Sequence, residues 1–425
     1  MDWHAIPESF RQEIDREYVT LQVTNTEPSD VDLVQFTPLS YGKALKKTRR
    51  NPSGSIPVYG SNGIIGYHDQ ALTTGPTVVV GRKGSVGVVN FSPGPCWPID
   101  TTFYHEESDS EIARFKYLTL SRLGLDQMNS DSAVPGLNRN NAHALQVRVP
   151  SIEDQRRIAG ILGTLDDKIE LNRRMSQTLE EMAQALFKSW FVDFDPVKAK
   201  SEGRPTGLPP HMDTLFPDSF TDSPLGPIPT GWKLSPLVES CSLIMGQSPR
   251  SEYYNELGEG LPFHQGVSNF GNRFPTHRRW TTVDKRLAEP GDILFSVRAP
   301  VGRINLALDH LVVGRGLSAI RALDGLQNFL HSQLKEMFSL EDSIGSGTIY
   351  KAVTKRDLES IKLLKPSSPA VKEFESVVAP IANLIAELFK MNCDLREARD
   401  LLLPRLISRE LDMPKLKSGC FGASA

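Results

Sequence analysis

The sequence has few cysteines and no long hydrophobic run. Its four cysteines lie far apart without a C-x-x-C pair, at Cys96, Cys241, Cys393 and Cys420. This spacing argues against a zinc ribbon and gives no disulfide framework. No apolar stretch approaches the roughly 18 residues that a bilayer span requires. The first residues mix acids with bases and lack the apolar region of a secretory signal. We therefore expect a cytoplasmic protein without membrane contact.

The motifs of common catalytic sites are also missing. The sequence contains no G-x-x-x-x-G-K-[ST] phosphate loop, no H-E-x-x-H zinc motif and no G-x-S-x-G elbow. Its nine histidines form no metal-spaced cluster, and the acids of Asp166–Lys168 fit the solvated face of a helix. The sequence therefore predicts a chain without catalytic residues, a metal site or a bound cofactor of its own.

Charge and composition indicate an ordinary globular protein of more than one domain. The chain has 425 residues, of which 39% are hydrophobic and 23% charged, and a formal net charge of -3. A chain of this length exceeds a single hydrophobic core. Because the net charge is slightly negative, any nucleic-acid surface must be a local basic patch.

Two halves of the chain resemble each other. The segment Leu145–Pro150 matches Ile361–Pro366 at a displacement of 216 residues, and the match continues downstream without a gap for about forty residues. Further upstream, Phe36–Leu45 resembles Leu234–Leu243, which would make the second copy longer by some eighteen residues. Each copy has a part rich in glycine, proline and short β-branched runs, closed by a proline. We expect an α+β fold with two strand-rich domains, each followed by a long helix.

The two helical segments carry apolar residues at alternating steps of four and three. This heptad spacing is typical of a coiled-coil seam. The predicted helix-pairing residues are Ile158, Leu162, Leu165, Ile169, Leu179 and Leu186 in the first segment, and Val378, Ile381, Ile385, Leu388, Leu395 and Leu402 in the second. Asn172 and Asn392 also fall on the seam, where a polar residue commonly fixes the register. We predict that the helices pair as an antiparallel coiled coil with pseudo-twofold symmetry and hold the two domains apart.

These patterns give the following expected order along the chain. An N-terminal segment of unknown role (1–30) precedes the first strand-rich domain (31–150), the central helix (151–192) and a Pro/Gly-rich connector (193–230). The second strand-rich domain (231–366), the C-terminal helix (367–412) and a flexible tail (413–425) follow.

A glycine-rich turn is the first candidate binding segment. Gly81–Gly87 places Arg82, Lys83 and Ser85 between glycines after a strand-like run. Glycines permit close backbone approach, and the cations suit a phosphate or a guanine edge. In the second copy, Val297–Gly302 keeps an arginine, Arg298, which the displacement of 216 aligns with Arg82. The alternative interpretation is a tight hairpin that merely exposes basic side chains.

Two further segments carry side chains suited to DNA. The predicted contacts before the closing prolines are Asn138, Arg139, Asn140 and Asn141 in the first copy, and Tyr350, Lys351, Thr354, Lys355 and Arg356 in the second. Asparagine and arginine pair with adenine and guanine, and lysine or threonine holds phosphates. Asn138 and Thr354 equally fit as N-caps of short helices, whose N-termini attract phosphate. The basic segment with Lys46, Lys47, Arg49 and Arg50 is a further candidate, although surface solubility also explains such runs.

Through the central part of the chain, residues 145–237, the sequence resembles the specificity subunits of type I restriction-modification systems. The resemblance covers nearly the whole chain and is most specific over Leu145–Leu162, Leu165–Gly203, Gly207–Phe220 and Leu225–Leu237. The second helix lacks the acid and Gln155 that follow the proline in the first, so a role of Gln155 cannot be transferred to Val371.

The resemblance implies a division of labour. Each strand-rich domain would be a target recognition domain that reads one half of a split, asymmetric double-stranded DNA sequence. The helices would set the spacing between the halves and dock two methyltransferase subunits, which bind S-adenosylmethionine and methylate adenine N6. Motor-nuclease subunits would join for cleavage, so that ATP and Mg are expected on the partners. The alternatives are a coiled-coil scaffold that binds proteins without DNA and an enzyme with an unrecognised site.

Overall fold

Long helices and small β-sheets make up the fold in the computed structural model, which describes residues 27–128, 136–224, 226–339 and 353–408. The chain divides into two compact units: unit 1 comprises Met1–Asn172 with Met391–Ala425, and unit 2 comprises Arg173–Lys390. No helix in the described ranges is long and apolar enough to cross a membrane.

Unit 1 contains nine strands, three short helices and parts of both long helices within its described residues. The strands are β1 (Ser29–Asp32), β2 (Ser40–Tyr41), β3 (Ile56–Gly60), β4 (Gly63–His68), β5 (Thr77–Gly81), β6 (Val89–Ser92), β7 (Trp97–Pro98), β8 (Thr102–Glu106) and β9 (Gln146–Val149). The helices are α1 (Leu33–Phe36), α2 (Ser110–Leu120), α3 (Arg139–His143) and the start of α4 (Ile152–Phe191). The first strand thus begins inside the segment 1–30.

The sheets of unit 1 are mostly antiparallel and small. They have the orders β1-β9, β2-β8-β5-β6 and β4-β3-β7. The central strand β5 has the sequence TVVVG and is buried over its whole length. β-branched side chains favour such a strand because they pack well on a pleated surface. Its side chains join a core with Phe103, Phe115 and the inner face of α4.

Unit 2 contains the remaining strands and helices. The strands are β10 (Phe220–Thr221), β11 (Ile228–Pro229), β12 (Lys233–Pro236), β13 (Cys241–Met245), β14 (Tyr254–Asn255), β15 (Leu261–His264), β16 (Trp280–Thr281), β17 (Leu287–Ala288), β18 (Ile293–Ser296), β19 (Ile304–Leu306), β20 (Leu311–Val313), β21 (Leu317–Ala322) and β22 (Lys362–Lys365). The helices are α5 (Asp195–Ser201), α6 (Pro210–Asp213), α7 (Gln327–Ser339), α8 (Lys355–Ser360) and α9 (Ser368–Ile407), whose end lies in unit 1. The expected connector therefore includes two short helices and a two-stranded sheet.

Unit 2 repeats part of the sheet arrangement of unit 1. Its sheet β13-β21-β18-β19 has the same order as β2-β8-β5-β6, and the pair β12-β22 corresponds to β1-β9. A mixed five-stranded sheet, β14-β16-β15-β20-β17, completes the unit. The prediction of a fold that mixes helices and strands is confirmed.

Hydrogen bonds correct the predicted alignment at the start of the two domains. The amide of Leu33 donates to the carbonyl of Leu145, and the amide of Leu237 donates to that of Ile361, both at 2.8 Å. Leu33 therefore corresponds to Leu237, a displacement of 204. The sequence alignment of Phe36–Leu45 implied 198, so it was wrong by six residues. Proline and leucine recur in both segments, and this similarity concealed the strand pairing.

The displacement rises along the strands that follow. Gly42 donates to the carbonyl of Thr102 and Gly246 to that of Leu317, which keeps the displacement of 204. In the hairpins β5-β6 and β18-β19, Val80 pairs with Val89 and Phe295 with Ile304, which gives 215. The second domain is therefore longer by eleven residues before this hairpin, and not by about eighteen.

The predicted seam residues lie on the inner faces of α4 and α9. Nine of the twelve are buried, and Leu179, Leu186 and Ile381 are half-buried. In unit 1, Leu395 and Leu402 share a core with Ile158. In unit 2, Phe187 and Trp190 pack against Phe374, with ring centres 5.8 and 6.4 Å apart. The heptad pattern thus identifies the buried face of each helix.

Polar contacts attach each strand-rich region to a helix of the same unit. In unit 1, Arg114 on α2 forms two hydrogen bonds to Asp167 on α4, at 2.9 and 3.2 Å. In unit 2, Glu180 on α4 accepts hydrogen bonds from Arg273 and from Lys335 on α7. Burial alone would raise the pKa of Glu180, but the two cations hold it below its usual value. Because a buried carboxylate that loses such partners is costly, the contacts of Glu180 hold the strand-rich region of unit 2 firmly on α4.

Candidate nucleic-acid interface

The glycine-rich turn after β5 is held tightly by backbone hydrogen bonds. Gly87 donates to the carbonyl of Gly81 at 2.8 Å, and the amides of Arg82 and Lys83 donate to Thr101 at 2.9 and 3.1 Å. Gly87 has a φ of 73°, and a Cβ there would lie 2.1 Å from the amide nitrogen of Asp126. The turn therefore requires glycine at this position. It leaves Lys83 exposed and Ser85 half-buried.

The structure brings the turn together with the second predicted segment in unit 1. The amide of Leu137 donates to the carbonyl of Arg82 at 2.9 Å, and Lys83 forms an isolated bridge with Gly136. Asn138 follows directly and begins helix α3. Two segments that are about 50 residues apart in the sequence thus form one surface.

Unit 2 contains the same connection. The amide of Val353 donates to the carbonyl of Val297 at 2.8 Å, and Thr354 then begins helix α8. Gly302 closes the turn by donating to Ser296 at 3.1 Å, and Arg298 is exposed on it. Both units therefore place an exposed cation beside the start of a short capped helix.

The hydrogen bonds from Leu137 and Val353 also show which residues of the two turns are equivalent. Arg82 and Val297 each accept from the residue before the helix cap, so they occupy equivalent positions. Arg298 therefore corresponds to Lys83, and the prediction that it matches Arg82 was wrong. One cation is common to both turns, and the second cation belongs to unit 1 alone.

An exposed tyrosine in unit 1 was not predicted. Tyr41 at the end of β2 is 52% exposed, and the guanidinium groups of Arg82 and Arg139 lie 5.3 and 4.8 Å from its ring centre. Arg82 also donates from Nη2 to the carbonyl of Asp100 at 3.0 Å. Such cation–π contacts stabilise by about 0.5–1 kcal/mol at exposed sites. Arg82 and Arg139 therefore support the ring, and Arg82 is not free to pair with a guanine edge through its whole guanidinium group.

The residues that begin the short helices mainly act as caps. Asn138 accepts hydrogen bonds from the amides of Asn140 and Asn141 at 2.9 and 3.3 Å. Thr354 forms a capping box with Asp357. The N-cap interpretation is thus confirmed for both, and their side-chain oxygens are already used.

Other predicted contacts near these helices remain exposed. The side chains of Asn140, Asn141 and Arg356 are exposed, and Lys355 is exposed beside Glu359, with Nζ 3.5 Å from the carboxylate. The predicted contacts Tyr350 and Lys351 lie outside the described residues.

The basic segment before β3 forms a 3-10 helix, Lys47–Arg49. Lys46, Lys47 and Arg49 are exposed, whereas Arg50 donates to the carbonyls of Ile65 and Leu45 at 3.1 and 3.4 Å. Arg50 therefore anchors the segment to β4, and the other three cations face solvent.

Local charge distinguishes the two units, and this signal was available in the sequence. Residues 33–99 contain seven lysines and arginines but one acid, Asp69, which gives a local charge of +6. The equivalent residues 237–314 contain eight cations and eight acids, so their charges cancel. Because the whole chain has a charge of -3, residues 33–99 form a local positive patch within a slightly acidic protein.

Comparison with known proteins gives a matching family. The family model described as the type I restriction modification DNA specificity domain matches residues 29–181. Its start coincides with strand β1, and its end lies within helix α4.

Curated relatives have the same description. The type I restriction enzyme MjaX specificity subunit of Methanocaldococcus jannaschii is 31% identical over 279 residues, which are 65% of this chain and 61% of that relative. The HindI specificity subunit of Haemophilus influenzae is 27% identical over 358 residues, 72% of this chain and 75% of that protein. The chain thus spans less than two thirds of the length of the first relative.

A solved structure shares the fold. The S subunit of a type I restriction-modification system from M. genitalium has a TM-score of 0.54 and 16% sequence identity. The match covers 91% of this chain and 98% of that one.

Proposed function

We propose that this chain is the DNA-binding specificity subunit of a type I restriction-modification system, because residues 29–181 match the model of the type I restriction modification DNA specificity domain and a specificity subunit of Methanocaldococcus jannaschii is 31% identical over 65% of the chain. Each unit contacts one half of a split, asymmetric double-stranded target. The chain itself performs no catalysis and directs partner subunits to the site.

One observation supports this proposal most strongly. In each unit a backbone hydrogen bond joins the cation-bearing turn to the segment with exposed polar side chains, through Leu137 and Arg82 in unit 1 and through Val353 and Val297 in unit 2. Lys83 and Arg298 lie at equivalent points of these surfaces. Cations position the phosphates, and neighbouring amides or guanidinium groups read base edges. A protein scaffold without DNA would have no use for this repeated arrangement.

Differences between the surfaces support an asymmetric target. Tyr41 in unit 1 corresponds to the half-buried Met245 in unit 2, because Tyr41 pairs with Phe103 and Met245 with the equivalent Ser318. Residues 33–99 also carry a local charge of +6, whereas the equivalent residues 237–314 carry no net charge. Two surfaces with unlike side chains at equivalent points prefer unlike base sequences.

The two long helices act in this proposal as an antiparallel coiled coil with pseudo-twofold symmetry. Within unit 1, Asn172 donates to Asn392 at 2.9 Å and Arg399 donates to Asp166 at 2.6 Å. The partner number on α9 rises as the number on α4 falls, as antiparallel pairing requires. Asn172 and Asn392 are buried, and a buried polar pair on a seam fixes register. The coiled coil then sets the distance between the half-sites, on the order of one DNA turn of 34–36 Å.

Partner subunits complete the activity. The helices dock two methyltransferase subunits, which bind S-adenosylmethionine and methylate adenine N6. Motor-nuclease subunits, which use ATP and Mg, join for cleavage, and the assembly works in the cytoplasm. The similarity to specificity subunits and the exposed outer faces of α4 and α9 support these proposed assignments.

Binding of the full chain to duplex DNA tests the proposal. We expect a dissociation constant that rises steeply with salt and weaker binding for Lys83→Ala and Arg298→Ala than for the wild type. The control is Lys372→Ala, an exposed lysine on the first turns of α9. If the wild-type chain binds protein partners but no duplex at low salt, the scaffold alternative replaces this proposal.

The spacer role has a separate test. Adding seven residues to both long helices, at the level of Asn172 and Asn392, lengthens a helix pair by about 10.5 Å, since each residue rises 1.5 Å. The gap between the two methylated half-sites should then grow by about three base pairs, which are 3.4 Å apart along each strand. An unchanged gap would refute the spacer.

A further inference from the structure

The hairpin β3-β4 exposes an unusual set of apolar side chains. Ile64 is 51% exposed, Ile65 41% and Tyr67 42%. All three lie on β4, which is the edge strand of its sheet. An exposed apolar edge strand favours aggregation, so natural proteins usually protect it with charges or proline. The exposure of three apolar side chains on this one edge strand therefore points to a contact surface.

A β-bulge explains why two consecutive isoleucines are exposed. Across the hairpin Tyr59 pairs with Ile64 and Val58 with Gly66, so Ile65 is the extra residue without a partner on β3. In a regular strand, successive side chains point to opposite faces. A bulge interrupts this alternation and redirects side chains, often beside functional sites. Here it lets Ile64 and Ile65 both reach solvent.

The hairpin tip lies against the candidate interface of unit 1. The hydroxyl of Ser61, in the two-residue turn, donates to the carbonyl of Thr101 at 2.8 Å. The same carbonyl accepts from the amides of Arg82 and Lys83. A Cβ at Gly81 would lie 2.9 Å from the carbonyl oxygen of Ser61, so the two turns are in close contact.

The other side of the hairpin is bounded by cations. Arg50 donates to the carbonyl of Ile65 itself and so ties the exposed Lys46, Lys47 and Arg49 to the bulge. Residues 33–68 contain five cations and no acid. The exposed isoleucines lie between positively charged segments. This arrangement complements duplex DNA, which combines charged phosphates with the apolar faces of its bases. An apolar protein partner would gain nothing from this charge.

We propose that Ile64 and Ile65 form an apolar wedge that enters a groove of the DNA and partly unstacks one base step in the half-site of unit 1. This inference rests on the proposed function. Isoleucine is among the side chains that insert between base pairs in other DNA-bending proteins. The flanking cations hold the phosphates on both sides of the groove, and the bulge presents the two side chains toward the bases.

Fluorescence of 2-aminopurine measures unstacking directly. The probe is a duplex with the target sequence mapped from methylated DNA, substituted with 2-aminopurine at each adenine of the unit 1 half-site in turn. The wild-type chain with its methyltransferase subunits should raise the fluorescence at one step. The double variant Ile64→Ser/Ile65→Ser should remove this rise and weaken target binding about tenfold or more, while the salt slope persists. Leu323→Ser, a change to a leucine that is 66% exposed directly after β21 in unit 2, serves as the control.

The outcomes separate the wedge from the proposed function. If the wild-type complex does not bind the duplex, the proposed function fails. If it binds without a rise at any probe position, or if the double variant keeps the rise, the wedge is refuted. The double variant could instead lose its methyltransferase subunits while its DNA binding stays unchanged. This result would assign Ile64 and Ile65 to a protein interface and would also overturn the proposal.

Discussion

Neutralising the basic segment should reduce the salt dependence of DNA binding by a calculable amount. Lys46, Lys47 and Arg49 are exposed and form no ion pair with any residue in the described ranges. Each phosphate contact contributes about 0.9 to the slope of log K against log salt concentration. The variant Lys46→Gln/Lys47→Gln/Arg49→Gln should therefore have a slope that is shallower by about 2.7.

The same slope predicts the measured affinities. Between 50 and 200 mM salt, a slope difference of about 2.7 makes the wild type lose about 40-fold more affinity than the variant. Fluorescence anisotropy with a labelled duplex over this range measures both slopes. The matched control is Lys233→Gln/Lys362→Gln/Lys372→Gln, which removes three exposed charges in unit 2. Equal losses of slope in both variants would show that net charge, and not this surface, controls binding.

Other predictions concern stability and the tyrosine. Burial lowers the pKa of His264 to about 4 and that of His331 to about 3, from an ordinary value of 6.5. The unfolded state therefore binds protons first as the pH falls below 6.5, and at pH 5 each histidine should reduce the free energy of unfolding by about 2 kcal/mol. Urea titrations at pH 7 and pH 5 should show this combined loss of unfolding free energy in the wild type. The variant His264→Gln should lose about half as much, because only His331 then contributes. Asn172→Leu should destabilise unit 1 by about 1–3 kcal/mol, because the buried side-chain oxygen of Asn392 loses its hydrogen-bond donor. The double variant Asn172→Leu/Asn392→Leu should be less destabilised in the same titration, because it leaves no buried polar group without a partner at this pair. Tyr41→Ala should weaken duplex binding more than Tyr41→Phe, since phenylalanine keeps the ring between the two guanidinium groups; equal effects would exclude a role of the ring.

The long helices were the most predictable part of the fold. Their heptad spacing identifies the buried face because each seam residue meets neighbours three and four positions away. Asn172 and Asn392 were correctly placed on that face, and both are buried. Local periodicity carries this information without any long-range contact.

The strand register could not be predicted in the same way. Leu33 and Leu237 are equivalent because of their hydrogen bonds to Leu145 and Ile361, residues more than 100 positions away. Short strands of two to six residues contain too few side chains to fix such a pairing from a single sequence. The same limitation produced the wrong match of Arg298 with Arg82.

The sequence predicted which segments form the candidate site. The structure showed which of their side chains lie together on the surface. The turn at Gly81–Gly87 and the helix caps carry strong local signals in glycine and asparagine. Tyr41 carries none, since its role depends on two arginines that approach it from distant segments. Ile64 and Ile65 look like ordinary strand residues until the bulge is seen. The absence of acids from residues 33–68 is a sequence signal that could have indicated this surface.

Mapping of N6-methyladenine tests the central claim most directly. DNA from a host that expresses this chain with its methyltransferase subunits should show methylation within a split sequence whose two halves differ. Arg298→Ala should relax recognition in one half, and Lys83→Ala should relax it in the other. A continuous target, or the loss of both halves in either variant, would contradict the assignment of one half-site to each unit.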